Sequence, residues 1–300
     1  MAGCRLPIAR QSGAGGLVPI ANRQPKIVNG FTLIELLVVI SIMILLAALA
    51  VPALKNLGKS NIQTSATRQL LDDVGRARQL AIANHTTVYM VFVPTNFWML
   101  PTWPNSWWTR LTQAQQTAAT NLCDKQLTGY TFVSLRSAGD QPGQGVPRYL
   151  APWQNLPDGT FLAEQKFQLN ANYFYYVPNT PFQIYGFNVT NTFPFPTADS
   201  TSFKDAGLPP TFGLPYIAFN YLGQLTFDGQ DMAWRDEYIP LAQGTVLPAL
   251  DSAAKTYVIA AGSSPSVSET PPGNSTNSMY NLIHIDRLTG RATLEYQRVQ

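Results

Sequence analysis

The chain has 300 residues, 45% hydrophobic and only 12% charged, with a formal net charge of +3. That charge is too small for a global nucleic-acid footprint. Two histidines and two cysteines give no zinc ligand set with recognisable spacing, and the nucleophile-elbow, P-loop and dinucleotide fingerprints are missing, so no cofactor or metal is expected.

Residues 1–30 contain Arg5, Arg10, Arg23 and Lys26 and no acid. Basic residues ahead of an apolar run hold that end in the cytoplasm. From Phe31 to Leu54 the sequence reads FTLIELLVVISIMILLAALAVPAL, and Glu35 is its only ionisable side chain. A helix of this length rises on the order of 36 Å, enough for a hydrocarbon core of roughly 30 Å. A carboxylate within such a span costs roughly 2.5–3.5 kcal/mol or more, so it needs a reason to be there. A secretory signal peptide is one reading, with Ala48-Leu49-Ala50 as its cleavage site, but its apolar core is only about 7–15 residues long. A plain membrane anchor accounts for the length and leaves the glutamate unexplained.

The third reading rests on Gly30 followed by Phe31-Thr32-Leu33-Ile34-Glu35. This phrase closely resembles the processing site of type IV pilins and type II secretion pseudopilins. The resemblance implies a prepilin peptidase that cuts after Gly30 and methylates the new amine of Phe31. It also implies that Glu35 meets the amine of a neighbouring subunit and sets filament register. The chemistry is consistent: cleavage creates a cation at Phe31, and a carboxylate one helical turn along is a natural partner in a low-dielectric bundle. Removing the leader takes four of the 20 basic residues and leaves 16 against 17 acidic ones. It also removes Cys4, so Cys123 is the single thiol left, without an intrachain partner. It reads as a small buried side chain or a reactive thiol.

Beyond the span, Lys55, Lys59 and Arg68 mark the exit into water. Ala66, Leu70, Val74, Ala77 and Ala81 recur at helical spacing and predict one apolar stripe, with Gln69, Asp72, Arg76 and Gln79 on the other face. Pro52 and Gly58 are weak points in this long helix. In pilins the matching region loosens during assembly, and the resemblance implies a kink or melted segment here.

The phrase Gly75–Asn84 running into Thr86–Val93 resembles the helix end and first strand of H-type minor pseudopilins. Residues 97–110, FWMLPTWPNSWWTR, hold four tryptophans that either pack under a loop or form a partner-binding patch. Ser137–Pro147 reads as a loop, and Asp158-Gly159 as a turn into Thr160-Phe161-Leu162. Strands are predicted at Tyr173–Val177, Tyr216–Tyr221, Gln224–Phe227 and Tyr257–Ala260, with an irregular Pro-rich insertion over Thr192–Pro215 and a polar loop over Ser263–Ser278. The alternation of Leu282–Asp286 and Arg291–Tyr296 about Gly290 predicts a hairpin. Together with Tyr216–Phe227 it resembles the C-terminal sheet of H-type pseudopilins.

The expected fold is α+β: a long N-terminal transmembrane and amphipathic helix packed on a β-rich antiparallel domain. Its organisation is a leader over 1–30, a transmembrane segment over 31–54, an amphipathic helix over 55–84 and a periplasmic domain over 85–300. The resemblance implies a minor pseudopilin of the bacterial inner membrane, single-pass, with a cytoplasmic leader, a periplasmic C-terminal domain and assembly into an envelope-spanning filament. It is not expected to be an enzyme. Its partners would be prepilin peptidase, other pilin or pseudopilin subunits, the inner membrane and, indirectly, an assembly platform with its ATPase. A minor pilin for adhesion or DNA uptake and a membrane-anchored periplasmic enzyme are the rival readings. Arg287, Arg291 and Arg298 are the residues DNA would need, and Asp228, Asp231, Asp236 and Glu237 those calcium would need.

Overall fold

The computed structural model describes residues 32–99, 112–137, 139–141, 145–167, 174–176, 183–195, 211–259, 263–275 and 281–295; side chains at 49–61, 99, 174–176 and 183 lie outside that description. The chain divides into two compact units, Met1–Ala53 and Leu54–Gln300. Helix α1, Leu33–Ala83, contributes to both and is continuous through Pro52 and Gly58. Among the described residues no helix is long and apolar enough to cross a membrane. The described side chains of the apolar run end at Ala48, short of the ~20 residues a span takes. The span expected at Phe31–Leu54 therefore extends beyond them.

In the second unit, Ala66, Leu70, Val74, Ala77 and Ala81 have no exposed surface, so the predicted stripe is the face that α1 buries. The helix ends in a Schellman arrangement. Thr86 N–H donates to Ala81 O at 3.2 Å and His85 N–H to Ile82 O at 3.3 Å, and His85 holds the left-handed position at φ 47° where glycine is usual.

The strands that follow are β1 (Val88–Phe92), β2 (Gly129–Ser134), β3 (Arg148–Tyr149), β4 (Gln154–Asn155), β5 (Thr160–Leu162), β6 (Phe174–Tyr176), β7 (Gln183–Tyr185) and β8 (Phe193–Pro194). Then come β9 (Thr211–Phe212), β10 (Tyr216–Phe219), β11 (Leu225–Thr226), β12 (Glu237–Leu247), β13 (Ser266–Glu269), β14 (Asn281–Ile285) and β15 (Ala292–Glu295). A short helix, α2 (Gln113–Thr120), precedes β2 and opens on a capping box between Thr112 and Gln115.

One sheet runs β11-β10-β1-β2-β3, with β4 also on β2; another runs β13-β12-β14-β15, with β5 also on β12. β6 pairs β7 and β8 pairs β9, and every pairing is antiparallel. Strand β1 is buried on both sides, and its period of two explains how. Val88, Met90 and Phe92 join Leu70, Val74, Ala77 and Ala81 of α1 in the main core, with Ile239 and Leu241 of β12 and Ile283 and Ile285 of β14. Tyr89 and Val91 point into a second, aromatic core with Trp98, Phe193, Phe195, Phe212 and Tyr216. Trp98 is thus packed, and the other three tryptophans of the 97–110 segment lie outside the described residues.

Several predicted elements need correction. Tyr257 makes only an isolated bridge with Leu250 in place of a strand. The predicted loop at Ser263–Ser278 contains β13, and its Asn274 is buried, bonding both N–H and C=O of Gln243. The Pro-rich insertion includes the β8–β9 pair. The 216–227 and 281–295 hairpins belong to different sheets. They touch at their turns, where Leu225 N–H donates to Arg287 O at 3.0 Å.

Arg78 joins those turns to the helix. Its Nε donates to Thr289 O at 2.6 Å and to Gly223 O at 3.2 Å. Gly290, at φ 62°, is required there because a Cβ would collide with Gly223 O. Arg78→Met keeps the aliphatic stem and removes the donors, so it is expected to lower the unfolding free energy by about 1–2 kcal/mol in denaturant titration.

Candidate functional site

The N-terminal end of α1 is built by a cap. Thr32 precedes the first helical residue, and its hydroxyl accepts from Glu35 N–H at 3.2 Å, while Leu36 N–H donates to Thr32 O. Thr32-x-x-Glu35 is the residue pattern of a capping box, of which the Thr32 half is made. Glu35 is the acid of the first turn, where a carboxylate meets the positive end of the helix dipole, an interaction worth about 0.3–1 kcal/mol. Next along the helix, the Ser41 hydroxyl is satisfied by Leu37 O at 2.8 Å. The large apolar side chains from Leu33 to Leu46 are all exposed, from 42% at Val39 to 83% at Leu33. A helix apolar all round is the kind that buries itself in a membrane or among other helices. Gly30 and Phe31 lie outside the described residues.

Residues 26–51 match the family model of the prokaryotic N-terminal methylation motif. The chain is type IV pilin-like, with a prepilin peptidase site. Gly30, Phe31 and Glu35 all fall inside the matched segment, and Pro52 and Gly58 follow it. The motif implies processing by prepilin peptidase and assembly with other pilin subunits. No curated protein and no solved structure matches the chain.

Elsewhere in this pilin-like chain the acids singled out by sequence have separate occupations. Glu237 is buried against Lys166, whose Nζ also donates to Tyr185 O at 2.6 Å and lies over the Phe187 ring at 4.9 Å. Burial holds the Lys166 ammonium below its ordinary value, against the pull of Glu237. Asp236 accepts from Arg287 N–H at 2.9 Å and faces His284 Nε2 at 3.1 Å, and Glu295 faces Nδ1 of the same ring at 2.7 Å. Asp228 closes its own turn, accepting from Gln230 N–H and Asp231 N–H, both at 2.9 Å. Asp228, Asp231, Asp236 and Glu237 are thus not drawn together, and the described residues hold no group of three or more potential metal-binding side chains.

Asp73, on α1, is likewise occupied within the fold. It is buried and accepts from the Tyr130 hydroxyl, which in turn accepts from Gln69 Nε2 at 2.8 Å. Cys123 is buried beside α2, and burial, then the Asp124 carboxylate, push its thiol up to about 12. Such a thiol carries almost no thiolate at neutral pH. Of the terminal arginines, Arg287 donates to Trp234 O at 2.5 Å, Arg291 is exposed, and Arg298 lies outside the described residues.

Sequence reading missed the Lys166–Glu237 pair because its partners are 71 positions apart. Lys166→Met leaves Glu237 buried without its cation and is expected to destabilise by about 3–5 kcal/mol, whereas Lys166→Met/Glu237→Leu regains most of the loss. Thermal unfolding of wild type, single and double variants measures this, and equal losses in both variants would contradict the pairing.

Proposed function

We propose that the chain is a minor pseudopilin or closely related filament subunit, cut after Gly30 and methylated on Phe31. The observation that carries the reading is the methylation motif over 26–51 placed on a capped helix whose apolar side chains are exposed on every side. Before assembly, the apolar segment Phe31–Leu54 sits in the bacterial inner membrane with the leader in the cytoplasm and the β-rich domain in the periplasm. During assembly it leaves the bilayer and buries itself among the same segments of neighbouring subunits. Glu35 and the Phe31 amine then fix the register, and loosening near Pro52 and Gly58 lets straight helices pack. An ATPase and a membrane platform supply the work from outside the chain, and the filament serves a type II secretion or type IV pilus-like machine. The chain acts as a structural subunit and not as an enzyme. The sparse histidines and the acids already bound within the fold support that assignment.

Protein recovered from cells containing prepilin peptidase is expected to begin at methylated Phe31, as read by intact mass and N-terminal sequencing. An uncut chain, or one beginning after Ala50, would remove the basis for the proposal. Glu35→Gln keeps a side chain of the same shape and the Thr32 cap but lacks the charge. It is expected to be processed normally and to enter sheared filaments at least tenfold less than wild type; equal incorporation would end the register role.

A further inference from the structure

A polar cleft of about 540 Å³ opens where α1 hands over to β1. Its lining includes His85, Tyr89, Arg136, Asn191, Tyr221 and Gln230. Tyr89 is 5% exposed and its ring is held edge-on by Phe193 and Tyr216, both with centroids at 5.2 Å. Its hydroxyl has no hydrogen-bond partner among the described residues and rests against Gly229, whose φ of 89° and missing Cβ leave it room. Burial, and then Tyr216 and Asp228, raise this phenol above its ordinary value, so it stays a donor at any physiological pH. The hydroxyl faces the open cleft and is left free to donate to whatever occupies it.

The rest of the lining suggests what that something is. The side chains of His85 and Arg136 make no hydrogen bond or ion pair among the described residues and stand exposed at the mouth. Two carboxylates, Asp140 and Asp228, share the cleft. Backbone N–H groups of Ser137 and Val146 hold the first below the ordinary carboxylate value, and those of Gln230 and Asp231 the second. The lining therefore carries both signs of charge, which disfavours a simple anion. It offers a phenol, an imidazole, an amide and a guanidinium as planar polar groups, beside carboxylate acceptors. At the rim the Tyr221 ring is 54% exposed. Vicinal hydroxyls act as donor and acceptor at once, and the C–H face of a pyranose packs on an exposed aromatic ring.

We propose that this cleft binds a neutral saccharide of about one or two pyranose rings, with the Tyr89 hydroxyl donating to a sugar oxygen at its floor and Tyr221 covering a ring face. The site belongs to the β-rich unit and stands or falls independently of N-terminal processing. His85 fits this role, since it occupies the left-handed helix-end position that glycine would hold with less strain.

The test is saturation-transfer NMR and calorimetric titration of the full chain in a detergent without a sugar headgroup, using maltose, cellobiose, lactose, chitobiose and inorganic phosphate. At least one disaccharide is expected to bind with a millimolar or tighter Kd. Tyr89→Phe, which keeps both ring contacts, is expected to weaken it about tenfold without lowering Tm. Gln230→Ala should weaken it several-fold, and His85→Gly should weaken it while raising Tm. Binding of phosphate alone, no signal from any of the four sugars, or unchanged affinity in Tyr89→Phe would overturn the proposal.

Discussion

A helix that is apolar on every side has to be covered by something other than its own chain. Residues Leu33 to Ala48 of α1 form such a helix. At about 25 cal/mol per Å² of apolar surface removed from water, each fully exposed Leu or Ile stands to gain about 1.5–3 kcal/mol by being covered. Summed over the exposed run, that drive is far larger than the single charge of Glu35 opposes. The other half of the same helix obeys a different pattern. From Ala66 to Ala81 only one stripe is apolar, and that stripe is fully buried by the two sheets. One helix therefore carries a surface for the fold and a surface for assembly, and the change from all-round to one-sided hydrophobicity separates them.

The domain is arranged so that this division holds. Strand β1 follows α1 after the tight Schellman end and is buried on both sides, one facing the helix and the other an aromatic core. The second sheet closes the same helix from another side through Ile239, Leu241, Ile283 and Ile285. Arg78 then bridges the turn of each sheet, so the helix end and both sheets meet through one guanidinium. Large-to-small changes along the buried stripe would be felt by both sheets at once, since Leu70 and Val74 touch one continuous core.

What could be read from the sequence was what depends on neighbours in the chain. The Ala66–Ala81 stripe, the Gly159 turn and the Gly290 hairpin each rest on local periodicity or on one turn residue, and each is present. Strand β12, the longest among the described residues at 11 residues, was not legible. Pro240 and Gly244 argue against a central strand. The structure tolerates Pro240 because its carbonyl accepts from Ala163 N–H, so the side lacking a donor faces β5, which has already ended at Leu162. Strand β2, with its Tyr-Thr-Phe-Val run, and α2, with its Thr112–Gln115 capping box, carry local signals of the same kind. The partners of Asp73, Glu237 and the Tyr89 cleft come from distant segments, and no spacing rule brings them together.

The position of Glu35 has a physical logic that precedes any neighbour. The first turn of a helix presents unpaired N–H groups and the positive end of its dipole, equivalent to roughly half a charge. Thr32 satisfies one of those groups, the Glu35 N–H. Cleavage after Gly30, as proposed, would place an ammonium at the same end and so put two positive charges together in a low-dielectric setting. A carboxylate at the third helical residue opposes both, and does so more strongly as water is removed. On that proposal Glu35 would stabilise the new terminus within a lone subunit, and within a bundle it would do the same for the terminus beside it. The two proposed roles are then one electrostatic requirement met at two distances, and on that reading charge, more than side-chain shape, is what this position needs.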